Sequence, residues 1–119
     1  MREDDGLAGT KAEEELMRRM IAEAVAAFSG DGPVSRGEYL RSLHRPAQVD
    51  GTRRSVEKLV RDTGKTREVA SEVLRASTMD IYAAVADGAG LQPLERASLT
   101  GAIRRRLDLA LCEDSEKTR

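Results

Sequence analysis

The sequence predicts an all-α fold, a bundle of about five helices that is expected to dimerise. Three observations carry this expectation. Apolar residues recur at three- and four-residue steps, the spacing that gathers them on one face of a helix. Ser, Thr or Pro stands ahead of these runs and Gly behind them, as helix starts and stops require. No stretch alternates apolar and polar residues as a half-buried strand would, and the β-branched residues fall on helical spacings.

Taken in order, residues 1–9 carry no periodic signal and read as a flexible tail. Thr10 and Glu13 have capping-box spacing, and Leu16, Met17, Met20, Ile21, Ala24, Val25 and Phe28 follow as an apolar stripe that stops at residues 29–33. Ser35 and Glu38 form a second capping box before a short helix with Tyr39, Leu40 and Leu43 on one side. Pro46 is expected to end that helix and 47–51 to form a loop, with Asp50 or Thr52 capping the next helix. That helix has Val56, Leu59 and Val60 inward and closes at Gly64. Thr66 caps a long helix bearing two adjacent stripes, Val69, Val73 and Ala76 beside Ala70, Leu74, Ile81 and Val85. At about 21 residues it would span ~30 Å, long enough to suggest cover from a second copy. Pro93 opens a last helix whose apolar positions are Leu94, Leu99, Ile103, Leu107 and Leu111. A single helical domain over 10–112 and a flexible tail over 113–119 complete the organisation.

Composition narrows the function. The 119 residues hold 39% hydrophobic side chains, enough for one modest core, and only 3% aromatic ones, so that core must be built from Leu, Val, Ile, Met and Ala. Twenty basic residues face 21 acidic ones, a net charge of −1, which excludes a uniformly basic nucleic-acid coat. No apolar run reaches the ~20 residues of a membrane span, and the acidic start is unlike a signal peptide. One cysteine fits a reducing compartment. An Ala- and Arg-rich, Lys-poor composition suggests a bacterial, cytoplasmic protein.

Catalytic and metal-binding sets are missing. His44 is the one histidine and Cys112 the one cysteine. Cys112 is followed by two acids, which raise a thiol's pKa, and His44 with Arg45 suits a helix C-terminus. Two such residues cannot build a zinc site. Glu13, Glu14 and Glu15 read as the negatively charged first turn of a helix. Gly64-Lys65-Thr66 resembles the tail of a phosphate-binding loop, but Leu59 stands where that loop needs its first Gly. The expectation is therefore a non-enzymatic protein without cofactor, metal or small-molecule substrate.

Val56, Leu59 and Val60, then Thr63-Gly64, Thr66, and Ala70, Leu74, Ala76, Ile81, Ala84, Val85 and Gly88 fall in the pattern of a helical hairpin. Residues 56–88 thereby resemble the hairpin that opens the HU/IHF histone-like proteins. The resemblance implies a dimer whose core the hairpin builds. Two departures limit it. Lys65 replaces an apolar residue, and the β arms that grip DNA in that family do not follow Gly88.

Charge is unevenly spread. Residues 1–33 hold four basic and eight acidic groups, residues 34–75 ten and six, and residues 76–119 six and seven. Arg104, Arg105 and Arg106 cover ~300° of a helix, so at least one must lie toward its apolar side. The leading expectation is a small regulatory protein (an adaptor, antiactivator or assembly factor) that works through protein–protein contacts, with itself or another chain. Leu16, Met20, Leu107 and Leu111 are the candidate partner-binding residues, taken as exposed apolar positions of the first and last helices. The alternative is DNA binding through a helix-turn-helix or HU-like hairpin at 53–88, using Arg53, Arg54, Lys58, Lys65, Arg67, Ser71 and Arg75.

Overall fold

A computed structural model describes residues 2–112, with side chains described from residue 11 onward. The helices run α1 (Arg2–Ser29), α2 (Arg36–Ser42), α3 (Pro46–Thr63), α4 (Arg67–Ala89) and α5 (Pro93–Leu111). Four of these have at least 18 residues and make the body of the fold, whereas α2 is a seven-residue connector. The bundle is thus one of four long helices, not five, and no strand occurs among the described residues.

Two boundaries differ from those expected. Helix α1 starts at Arg2 and runs through Thr10, so the stretch read as a tail is helical up to residue 9 and Thr10 is not a cap. Pro46 opens α3 instead of ending α2. Its fixed φ suits the first helical position, so Asp50 and Thr52 lie inside the helix and Arg45 stands at its N-cap. The C-terminal tail expected at 113–119 lies outside the described residues.

The remaining boundaries follow the local chemistry. Ser35 Oγ accepts the Glu38 amide at 3.2 Å and Glu38 Oε1 accepts the Ser35 amide at 3.1 Å, closing the capping box of α2. Thr66 Oγ1 accepts the Val69 amide at 3.2 Å and starts α4. Helices α3 and α4 each stop at a left-handed glycine, Gly64 (φ 73°) and Gly90 (φ 68°). At Gly90 the reversal is a Schellman pair, with the Leu91 amide donating to Ala86 O and the Gly90 amide to Asp87 O, both at 3.1 Å.

Helices α4 and α5 pack on each other, α3 packs on both, α1 packs on α4, and α2 bridges α1 and α5. The body measures 50 × 43 × 23 Å, about two helix diameters thick. The main core joins Ala24, Ala27 and Phe28 of α1, Tyr39 and Leu43 around α2, Val85 and Ala86 of α4, and Leu99, Ile103 and Leu107 of α5. Under α3, the buried residues are Val49, Thr52 and Val56 on that helix, Ala70 and Thr78 on α4, and Ala110 on α5. Small residues let the helices approach. A Cβ at Gly88 would lie 2.6 Å from Ile21 Cδ1, so α1 crosses α4 where a side chain is missing.

Arg36 ties the connector down. Its Nη2 donates to Phe28 O at 3.0 Å, its guanidinium lies 4.9 Å from the Phe28 ring centroid, and it pairs with Glu95 of α5 at 3.5 Å. Phe28 in turn meets the edge of Tyr39, centroids 6.1 Å apart.

Leu107 is fully buried, whereas Leu16 is 53% exposed. Leu107→Ala should therefore lower the unfolding free energy by about 2–5 kcal/mol. Leu16→Ala should change it by about 0.5 kcal/mol or less. Urea denaturation followed by circular dichroism at 222 nm measures both.

Candidate partner-binding face

Helix α4 carries the candidate site. Its inward side holds Ala70, Thr78, Val85 and Ala86, all buried against its neighbours. The opposite side is exposed and apolar. Val69 is 41% exposed and Val73 45%, and Ala76, Ala83 and Ala84 are exposed beside them. Val69, Val73, Ala76, Asp80 and Ala83 follow each other at steps of four, three, four and three, the spacing of a coiled-coil seam. Over those fourteen steps the seam is ~21 Å long. Asp80 is the one charged residue in that run, and Glu72 flanks it. Both are exposed, and neither has an ion-pair partner among the described residues. Arg67 and Arg75 leave the helix on other sides, so the face combines apolar surface with acid and no cation. Val69 and Val73 of one sequence stripe and Ile81 of the other are all exposed.

The residues singled out in the first and last helices do not form a site. Leu16 is exposed, as expected. Met20 and Leu111 are half-buried against the core, and Leu107 is inside it. Leu107 lies on the stripe with Leu99, Ile103 and Ala110 that α5 turns to the other helices, which corrects the expectation of an outward position. Leu94, one of the apolar positions read for the last helix, is 84% exposed at the start of α5.

The cations considered for DNA are dispersed. Arg53 pairs with Asp50 at 3.4 Å and donates from Nη2 to Leu109 O, toward α5. Lys58 pairs with Asp62 at 2.6 Å, which holds the Asp62 carboxyl below its ordinary range through that hydrogen bond and charge. Arg75 reaches Asp108 of α5 at 3.1 Å, with Cys112 Sγ 3.9 Å away. Arg54, Lys65 and Arg67 are exposed and Ser71 is half-buried. Arg67 shares a shallow depression with Glu68 and Glu72. Three of the seven positions thus already carry an acid partner.

A groove of about 580 Å³ runs between the end of α1, the turn after it and α2. Glu23, Glu38 and Arg45 line it with Tyr39. Burial pushes the Tyr39 phenol up to about 12 from its usual 10, with Tyr82 and Glu23 adding to the rise. No group of three His, Cys, Asp or Glu residues able to hold a metal occurs among the described residues. None of their helices is long and apolar enough to cross a membrane.

Comparison with family models, with curated proteins and with solved structures found no match.

The raised Tyr39 value has a consequence for stability. The folded state holds the phenolic proton more tightly than the unfolded state, so the contribution is complete below pH 10. It is lost as the pH rises from 10 through 12. Absorbance at 295 nm should show a phenol titrating near pH 12 that disappears in Tyr39→Phe. Denaturation midpoints of the unsubstituted protein should fall across the same pH interval.

Proposed function

We propose that this protein is a non-enzymatic helical binding module whose outer α4 face receives a basic amphipathic helix from a partner protein. The observation that carries the reading is the exposed seam Val69, Val73, Ala76, Asp80 and Ala83, apolar except for a carboxylate without a counter-ion. Burying Asp80 unpaired against an apolar helix would be costly, and a lysine or arginine opposite it removes that cost. A charged residue at one seam position selects partner and register in coiled coils. Self-pairing along this seam would add the acids of a second copy and bring no cation from either face. A partner of opposite charge is therefore favoured over a second copy here. An adaptor, antiactivator or assembly role follows from such contacts.

Designed 21-residue helices test the reading. One carries a leucine and alanine seam with a central lysine, and its control carries glutamate at that position. Fluorescence anisotropy should show the lysine peptide binding at least about ten-fold more tightly, a difference of about 1.4 kcal/mol. Asp80→Lys should invert the preference and Val73→Asp should abolish binding of either peptide. Absence of binding, or a preference unmoved by Asp80→Lys, overturns the proposal. A labelled DNA duplex run in parallel addresses the alternative: retention that falls steeply with salt and is lost in Arg67→Glu/Arg75→Glu would favour DNA.

A further inference from the structure

A second, separate feature lies where α3, α4 and α5 meet. Gln48, Thr52 and Ser55 of α3, Leu74 and Thr78 of α4, and Arg106 of α5 line a recess of about 180 Å³. No acid lines it. Arg106 is the member of the Arg104–Arg106 run that turns toward the core side of α5; Arg104 and Arg105 stay exposed. Its guanidinium is held in place from two directions. Nη1 donates to Gln48 Oε1 at 3.2 Å, and the carbon of the guanidinium lies 5.8 Å from the Tyr82 ring centroid.

What Arg106 lacks is a counter-ion. Arg36, Arg53, Arg75 and Arg96 each pair with a carboxylate, on Glu95, Asp50, Asp108 and Asp87 respectively. Arg106 has none among the described residues, and its Nε is buried without an acceptor. A buried donor left so is costly and calls for an anion or water beside it. The neighbouring hydroxyls are not equivalent. Thr52 donates to Gln48 O at 3.0 Å and Ser55 to Gly51 O at 3.1 Å, whereas the Thr78 hydroxyl makes no hydrogen bond among the described residues. Gln48, whose amide oxygen is taken by Arg106, keeps its NH₂ to donate.

We propose that this recess binds a phosphate group, held by the Arg106 guanidinium, the Thr78 hydroxyl and the Gln48 amide. Donors from three helices surround one space, and a tetrahedral oxyanion presents acceptors in that many directions. A planar carboxylate matches the guanidinium alone. The site does not depend on the α4 seam, because Thr78 lies on the buried side of that helix.

Two-dimensional ¹H–¹⁵N NMR tests it, with inorganic phosphate, phenyl phosphate and acetate each titrated against sodium chloride of equal ionic strength. Phosphate should give saturable shifts of the Arg106 Nε–H and Thr78 amide signals, with acetate at least about ten-fold weaker. Thr78→Val should weaken binding about five-fold, the loss of one hydrogen bond, and Arg106→Gln should abolish saturation. Arg106→Lys, which keeps the charge without the planar fork, serves should Arg106→Gln fail to fold, and it too should weaken binding. Tighter binding of inorganic phosphate than of phenyl phosphate marks a site for the free ion, and the reverse marks a site for a phosphate ester. Shifts that sodium chloride reproduces, that never saturate, or that survive these substitutions overturn the proposal.

Discussion

Helix α4 touches α1, α3 and α5, and that shared contact sets the geometry of the whole molecule. One helix can serve three neighbours only where its side chains are short. Ala70, Ala86 and Gly88 supply that shortness, and the α1 crossing at Gly88 leaves Ile21 in the space a side chain would fill. With 3% aromatic residues the protein has little bulk with which to hold helices apart. The result is a thin body in which most helices keep one face in water. The exposed seam of α4 follows from the same constraint, because a helix that meets its neighbours along narrow alanine contacts has circumference to spare.

The two proposed sites use opposite sides of this helix and opposite charge. Outward, Asp80 and Glu72 give apolar surface an acidic character. Inward, at the junction with α3 and α5, Arg106 brings a positive charge into a recess of neutral polar groups. Asp80, Glu72 and Arg106 all stand without an ion-pair partner among the described residues. The ion pairs elsewhere, such as Lys58 with Asp62, are exposed and contribute little to stability. Exposed arginines such as Arg54 and Arg67 also have no ion-pair partner among the described residues. Arg106 differs from them in that its Nε is buried without an acceptor.

The helical class was legible because its cause is local. Ser35 with Glu38, Thr66, Gly64 and Pro93 each do in the structure what their chemistry implies. Pro46 was ambiguous, since proline both follows helices and begins them, and the burial of Val49 and Thr52 on a helix that packs against α4 and α5 decides for α3. The α4 stripes were legible too, but not which of them would be covered. Val69 and Ala70 are adjacent in sequence and differ in burial because successive residues leave a helix in different directions. Asp80 held the missing signal, as a lone acid within the Val69 stripe marks the side that faces water. Leu107 and Leu16 look alike in a sequence and differ only in what stands opposite them. Arg106 was foreseeable as one of three arginines forced toward the apolar side; Gln48 and Thr78, 58 and 28 positions earlier, were not, since no periodicity links residues on different helices.

The burial of Leu99, Ile103 and Leu107 bears on when this protein folds during synthesis. These three are among the largest fully enclosed side chains, and they come from α5. The α3–α4 pair is close in sequence and can form early, as local contacts do. Helix α1 packs on α4 and the short α2, and α2 gains its second neighbour only when α5 arrives. A nascent chain that has released α1 to α4 from the ribosome thus carries two half-covered surfaces. They close together once α5 emerges, which makes the interval before that release the one in which a chaperone has most to shield.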